Sequence, residues 1–300
     1  MRELKIQLAT ALPLREISAL TIRTGPSGAL ELLAVGDEDF AVIKTEFHPD
    51  GALGDTYRYE LFLPLVGTGI DLRGGSGFEG VACDGAGNVC VLQEEDSRVL
   101  VFDAELTTLR HVVELNVPYD TPGLGRKWYS EKGKDYHAEG LLLLDGGHVV
   151  VAKQKVPVCL VEFGPPNRSA MGIEPKTILT GNQRFEYPED VRSSTLVPLA
   201  WWNFGEAAAK TMTTLNDIAL GEDDRVYLLS SEAKAVARVE KRLRPGDKVK
   251  LKDSWSLDDA IPGGKKAKPE GLALLPGITP VIGFDSKKVG NNIVVLERAA

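Results

Sequence analysis

The sequence predicts an all-β protein, a five-bladed β-propeller with four-stranded blades in which the N-terminal strand completes the last blade. Three observations predict this fold: a strand unit that recurs along the chain, glycine-rich turns between its strands, and a leftover strand at each end. Six blades are the alternative. The chain has 300 residues, and no shift in composition marks a boundary, so we expect a single domain over residues 1–300.

The recurring unit consists of three short apolar segments separated by two polar turns. Four copies begin at Phe78, Ala138, Leu215 and Pro269, and a weaker copy begins at Glu16. The apolar segments are rich in Val, Ile and Leu, and turns such as D-G-A-G-N supply residues that tolerate positive φ. These features favour strands over helices.

A fourth strand is predicted after each of the first four units, near Tyr57, Leu109, Lys176 and Leu251. The last unit has no strand after it, whereas LKIQLAT near the N-terminus precedes the first unit. Pairing these two leftovers would complete the last blade and remove two open sheet edges. The segment 181–215 stays unassigned, and a degenerate sixth blade would lie there.

The connections between blades are predicted to emerge on one face, because strand directions alternate within a blade. They cover about residues 66–77, 116–137, 181–214 and 258–268. Long loops on one side of a rigid scaffold are where binding usually occurs. We therefore expect a small molecule or a partner protein to bind at this loop-rich face.

The inner strands are predicted to begin around one channel mouth. Alignment of the units places these first residues there: Ser18, Glu79, Glu139, Asn216 and Glu270. The ends of the second strands add Asp37, Glu94, Lys153, Ser231 and Asp285. Oxygen ligands of this kind suit a hard cation such as Ca²⁺. Glu79, Glu139, Glu270 and Asn216 are therefore candidate metal ligands, and Asp37, Glu94, Lys153 and Asp285 are candidate ligand-binding residues. The alternative is a solvated polar channel.

Aromatic residues are concentrated in two of the predicted face loops. Trp128 and Tyr136 lie in one of them, and Trp201 and Trp202 lie in the other. They are candidates for a lid over the mouth, or they anchor the loops to the barrel. His137 is two residues before Glu139, and we assign this pair as candidate catalytic acid–base residues.

The Glu-Gly segments resemble two related propeller families, the SdiA-regulated family and the phytase-like esterase domain. The matching segments are FEGVACDGAGNVCVLQEEDSRVLVFD, AEGLLLLDGG and KPEGLALLP. The resemblance spans most of the chain. It implies a divalent-cation site at Glu79, Glu139 and Glu270, and ester or phosphoester hydrolysis. Ser18, Asn216 and Lys153 depart from the acidic residues expected at their positions.

Composition narrows the function classes. The net charge is -8, which argues against a nucleic-acid-binding surface because such a surface needs a basic patch. No apolar run is long enough to span a membrane, and three cysteines make no disulfide framework. We expect a monomer that is cytoplasmic as written, or exported if a leader has been removed. Three functions stay open: a metal-dependent hydrolase, a non-catalytic binding module, and a scaffold that has lost an ancestral activity.

Overall fold

A computed structural model gives the positions of residues 1–48, 52–94, 96–128, 138–179, 182–262, 267–286 and 290–299. These residues form an all-β structure with two 3₁₀-helical turns, Asp145–Gly147 and Asp258–Ala260, and three short α-helices. The α-helices are α1 (Phe62–Leu65), α2 (Gly125–Trp128) and α3 (Glu206–Thr211). No helix of the described part of the chain is long and apolar enough to cross a membrane. The three cysteines are free thiols.

The strands follow one another along the whole chain. In order they are β1 (Arg2–Glu3), β2 (Ile6–Thr10), β3 (Ala19–Thr24), β4 (Leu30–Val35), β5 (Ala41–Phe47), β6 (Leu53–Glu60), β7 (Phe78–Cys83), β8 (Val89–Gln93), β9 (Arg98–Phe102), β10 (Leu109–Leu115), β11 (Ala138–Leu143), β12 (Val149–Lys153), β13 (Cys159–Gly164), β14 (Ser193–Asn203), β15 (Asp217–Leu220), β16 (Val226–Ser230), β17 (Ala235–Val239), β18 (Leu251–Ser256), β19 (Lys268–Leu275), β20 (Thr279–Asp285) and β21 (Ile293–Leu296).

The strands form successive antiparallel groups. The first group is β3–β6, the second β7–β10, the third β11–β14 and the fourth β15–β18, and the fifth consists of β19–β21 with β2. Turn chemistry explains the tight hairpins. In the β7–β8 turn, the Asp84 carboxylate accepts the backbone N–H groups of Ala86 and Asn88 at 3.0 and 2.8 Å, and Gly87 has a φ of 85°.

The first strands of the groups form a closed, propeller-like ring. Strand β3 contacts β7 and β19, β7 contacts β11, β11 contacts β15, and β15 contacts β19. Glycines allow the close approach of these strands. A Cβ atom on Gly80 would lie 2.5 Å from the Glu139 carbonyl oxygen, and one on Gly140 would lie 2.5 Å from the Ile218 nitrogen.

The core is divided among the interfaces between neighbouring groups. Each of five clusters of buried residues joins two consecutive groups, and one of them joins the fifth group to the first. Val91, Val151 and Leu228 are fully buried examples from three groups. Burial of apolar side chains on both faces of each group stabilises the ring, since apolar burial contributes about 25 cal/mol per Å².

The N-terminal segment completes the fifth group, as the sequence predicts. Strand β2 pairs antiparallel with β21, with Ile6 opposite Leu296 and Thr10 opposite Ile293. Strand β1 adds a short parallel edge to β18 of the fourth group. The N-terminal ten residues therefore contribute to two groups that lie far from them in sequence.

The predicted fourth strand of the third group is wrong. The segment around Lys176 forms no strand, and its Ile178 makes only an isolated bridge to Leu144. Strand β14 from the unassigned segment takes the position instead, with Trp202 opposite Leu160. It also pairs in parallel with β10, which joins the second and third groups into one eight-stranded sheet. Strand β14 thus pairs with β13 along its whole length and with β10 on its other edge.

Candidate functional site

The acidic residues predicted at the mouth line one polar cavity of about 300 Å³. Glu79, Glu139 and Glu270 reach it from the inner strands β7, β11 and β19. Asp37, Glu94 and Asp285 reach it from the ends of second strands. The repeated strand position explains this convergence, because equivalent residues of neighbouring groups lie at the same height of the ring.

Glu139 is the most enclosed of these carboxylates. Its residue is 5% exposed, and its side chain makes no hydrogen bond or ion pair with any described residue. Burial raises the pKa of Glu139 well above its usual range, and the negative charges of Glu79, Glu94 and Glu270 raise it further. The positive charge of Lys153 acts on this carboxylate, but no described residue donates the hydrogen bond that a buried carboxylate requires.

The pKa values of Glu79 and Glu270 are raised in the same way. Burial has the largest effect on Glu79, followed by the charges of Glu94, Glu270 and Asp37, while a hydrogen bond with Ser18 opposes the shift. Burial and the charge of Asp285 raise the pKa of Glu270 to about 8, and the nearby Lys268 ammonium opposes them. Neighbouring negative charges disfavour the ionised form of each carboxyl.

Glu16 belongs to the same cavity and was not predicted. Its backbone forms a bridge to Asp285, which brings it beside the end of β20. Burial, followed by the charge of Asp37 and a hydrogen bond with that carboxyl, raises the pKa of Glu16 to about 7. Glu16 precedes the repeated strand position by two residues, so the alignment of the units did not identify it.

Two buried acceptor oxygens at the cavity have no partner among the described residues. They are Oδ1 of Asp37 and Oε1 of Gln154. Gln154 follows Lys153 at the end of β12, and its neutral side chain gave no signal in the sequence. Buried acceptors without a donor are uncommon in folded proteins, and they mark places where a bound group can supply one.

Lys153 does not line the cavity. The residue is fully buried, and its Nζ atom lies 5.5 Å from the centroid of the Trp128 ring. Burial lowers the pKa of Lys153 to about 8, while the charges of Cys159, Glu94 and Glu139 oppose this shift. Lys155 and Lys268, which were not predicted, are the lysines that line the cavity.

Asn216 does not line the cavity, although its position in the repeat is equivalent to that of Glu139. The residue is 1% exposed. Its Oδ1 accepts hydrogen bonds from the Thr214 hydroxyl at 3.0 Å and from the Ser231 backbone N–H at 2.9 Å. The structure therefore does not bring the Asn216 side chain into the cavity with Glu79, Glu139 and Glu270.

The predicted aromatic lid is not formed by the tryptophans. Trp201 and Trp202 belong to strand β14, and the fully buried Trp202 donates its Nε1–H to the Arg244 carbonyl at 2.7 Å. Trp128 is buried against the Phe163 ring, with a centroid separation of 5.2 Å. These side chains anchor strands and a loop because packing against apolar neighbours buries their large rings.

The remaining two predicted site residues, Tyr136 and His137, lie outside the described residues. His111 and His148 lie elsewhere. His148 contacts the buried Glu162 carboxylate at 2.8 Å, and His111 accepts or donates a hydrogen bond with Ser194 at 2.8 Å. Neither histidine lines the acidic cavity.

Asp217 lies below the mouth, where the other inner strands have glycine or alanine. Its carboxylate accepts backbone N–H groups of Leu20, Ile218 and Leu272 at 3.2, 2.8 and 2.7 Å. Burial raises the pKa of Asp217, whereas these three hydrogen bonds lower it, and burial has the larger effect. This side chain ties the first, fourth and fifth groups together.

The channel beyond the mouth is lined mainly by apolar side chains. A separate cavity of about 230 Å³ is lined by the inner strands, with Leu20, Val81, Leu141, Ile218 and Leu272 among its residues. The polar chemistry of the ring is therefore concentrated at the mouth end, where the loops between groups emerge.

The donor chemistry of the mouth fits a hard cation, but the positions of its side chains do not. Among the described residues, no group of three or more His, Cys, Asp or Glu side chains is placed so that it could hold a metal ion. Calcium takes six to eight oxygens at about 2.3–2.6 Å from one point. The carboxylates of the mouth would have to rotate to provide such a point.

No protein-family model and no curated protein matches the chain. Among solved structures, it is similar to the PQQ-bound aldose sugar dehydrogenase from Streptomyces coelicolor, at 13% identity and a TM-score of 0.48, over 98% of this chain and 97% of that one. It is similar to virginiamycin B lyase from Staphylococcus aureus at 11% identity and 0.38, over 97% and 70%. It is also similar to a putative gluconolactonase, at 11% identity and a TM-score of 0.39, over 98% of this chain and 81% of that one.

Proposed function

We propose that this chain is a five-bladed β-propeller whose acidic mouth binds a small, positively charged ligand. The closed ring of first strands and the division of the core among consecutive groups support the blade count. The observation that carries the binding proposal is Glu139, a carboxylate that faces the cavity, is 5% exposed and has no partner among the described residues.

A positively charged ligand would offset the cost of gathering these carboxylates. Without it, burial and mutual repulsion keep the pKa values of Glu79, Glu139 and Glu270 raised. A cation within about 4–6 Å favours the ionised carboxylate and reverses that shift. Ligand binding and proton release from the mouth should therefore occur together.

Hydrolysis of an ester or phosphoester is the second candidate function. Its support is the presence of carboxyls that change protonation near neutral pH, since the pKa of Glu16 is raised to about 7 and that of Glu270 to about 8. Groups with such values are suited to general acid–base catalysis. A divalent cation, Ca²⁺ first of all, is the proposed cofactor, and its binding would require the mouth carboxylates to rotate toward one point. His137 with Glu139 remain the proposed catalytic pair.

The experiment that tests the proposed function combines melting curves with turnover assays. We expect the melting temperature of the wild-type protein to rise with a bound cation, because a ligand that binds only the folded state stabilises it. Glu139→Gln should abolish the rise. Glu105→Gln is the matched control, because Glu105 is exposed on the β9–β10 turn and does not line the cavity.

Turnover decides between enzyme and binding module. Chromogenic esters, lactones and phosphoesters are assayed with and without Ca²⁺ for the wild type and both variants. Turnover that requires Ca²⁺ and disappears in Glu139→Gln supports the hydrolase. A cation-dependent melting shift without any turnover supports a non-catalytic binding module. If no cation shifts the melting curve, the binding proposal is wrong.

A further inference from the structure

We propose that the mouth binds a small organic compound with two or more ammonium groups, each held by carboxylate and amide oxygens, in preference to a bare metal ion. This inference rests on the proposed function, since it specifies the positively charged ligand. It follows from where the unsatisfied acceptors lie, from the lack of a metal-holding set of three among the described residues, and from what already neutralises the rim of the cavity.

The first step is the demand for hydrogen-bond donors inside the cavity. The Glu139 carboxylate has no donor among the described residues, and neither has Oδ1 of Asp37 or Oε1 of Gln154. An ammonium group offers three N–H donors and one positive charge. It can therefore satisfy a carboxylate and a neutral amide oxygen at once, which explains why an amide belongs to this set.

The second step is the spacing of the acceptors. They come from three different groups of the ring. Asp37 follows β4 of the first group, while Glu139 lies on β11 and Gln154 follows β12 in the third group. Glu270 lies on β19 of the fifth group. A metal ion needs its oxygens around one point, and the described residues provide no such set of three. Several ammonium groups on one flexible chain can reach separate acceptors, each at about 2.7–2.9 Å.

The third step is what the chain itself places on the outer carboxylates. The Lys155 ammonium lies 2.7 Å from Glu232, and the Lys268 ammonium lies 3.5 Å from Asp285. Primary ammonium groups thus already bind at the rim of this cavity. Among the described residues that line it, eight are acidic and two are lysines, so further positive charge can be accommodated at the inner carboxylates.

The fourth step is size. The cavity has a volume of about 300 Å³, at the lower end of the range for small-molecule sites, about 300–1,000 Å³. It shares no lining residue with the cavity between the inner strands. A short aliphatic polyamine fits this shape, because its ammonium groups reach the wall while its methylene groups require no polar partner.

Isothermal titration calorimetry at constant ionic strength tests the inference with three probes: spermidine, CaCl₂ and tetramethylammonium chloride. Tetramethylammonium is the matched control ligand, because it carries a positive charge without N–H donors. We expect spermidine to bind the wild type about tenfold or more tightly than tetramethylammonium. Loss of one charge-assisted contact typically costs about tenfold in affinity. Glu139→Gln and Gln154→Leu should each weaken spermidine binding by about that factor, and Glu105→Gln should not.

The outcomes separate this inference from the proposed function. Spermidine binding that equals that of tetramethylammonium, or that both mouth variants leave unchanged, would overturn the organic-ammonium ligand. If Ca²⁺ binds and Glu139→Gln removes its binding while spermidine fails, only the ligand class is wrong. If no probe binds, the proposed function is wrong as well. Circular dichroism checks folding, and Asp37→Asn replaces any mouth variant that does not fold.

Discussion

At the residue scale, protonation of the mouth is controlled by burial rather than by any single partner. For Glu79, Glu139 and Glu270, burial is the largest cause of the raised pKa, and the neighbouring carboxylates come second. Without a ligand, these carboxyls should therefore bind protons more tightly than the same groups do in water. The charge state of the mouth depends on whether a cation is bound, which makes binding and pH interdependent.

Stability of the protein without ligand should fall as the pH rises from about 5 to about 8. The pKa of Glu270 is raised from 4.5 to about 8 in the folded state, so within this interval the folded chain binds more protons than the unfolded one. The stabilising contribution is complete below the unfolded pKa and is lost as the pH passes the folded value. Melting temperatures measured across this interval check the direction.

The Glu270→Gln variant should show a smaller fall in melting temperature over the same pH interval. The fall should not vanish, because Glu16, Glu79 and Glu139 contribute in the same direction. Glu105→Gln should keep the wild-type slope. An unchanged slope in Glu270→Gln would show that this carboxyl is not protonated in the folded protein.

At the element scale, strand β14 decides how the second and third groups are joined. It pairs with β13 on one side and in parallel with β10 on the other. Its buried Trp202 packs in the cluster between the third and fourth groups. One strand thus connects three consecutive groups, and its apolar residues serve packing rather than ligand binding.

Trp202→Ala should destabilise the protein by about 3–5 kcal/mol, the usual cost of removing a large buried aromatic side chain. Urea unfolding at equilibrium measures this change. Trp201→Ala is the matched control and should cost less, because Trp201 is only partly buried. Neither substitution should alter ligand affinity at the mouth. A large loss of affinity in a folded Trp202→Ala protein would restore a tryptophan to the binding site.

At the scale of the whole molecule, the ring is closed by strands from both ends of the chain. Strand β2 completes the fifth group, and the cluster between the fifth and first groups fills the closing interface. The Asp217 carboxylate adds hydrogen bonds to Leu20 of the first group and Leu272 of the fifth. Apolar packing and a buried polar contact therefore stabilise the same closure.

Removal of residues 1–10 should abolish the single cooperative unfolding transition, because it exposes the edge of β21 and opens the fifth group. Removal of residues 1–3 is the matched control. It deletes only β1, whose two residues are exposed, and should leave the transition nearly unchanged. Differential scanning calorimetry distinguishes the two. A normal transition in the shorter chain would mean that β2 is dispensable for closure.

Local patterns determine much of this protein. Short runs of Val, Ile and Leu between D-G turns predict the strands, and the recurrence of Glu-Gly at their starts predicts that Glu79, Glu139 and Glu270 meet at one mouth. The leftover N-terminal strand predicts the pairing of β2 with β21. These features depend on alternation, turn chemistry and repetition, which can be read within a few residues. Monomeric state, location and the choice of cofactor remain predictions.

Tertiary structure alone decides which strands pair between groups and which further residues line the cavity, because both depend on partners that are distant in sequence. Two segments compete to pair with β13, and the interface with β10 favours β14 over the segment near Lys176. Glu16 and Gln154 join the cavity through neighbours from other groups, outside the repeated position. The burial of each tryptophan likewise depends on which groups of strands surround that side chain once the ring has closed. The same holds for the acceptor oxygens of the mouth that lack a donor.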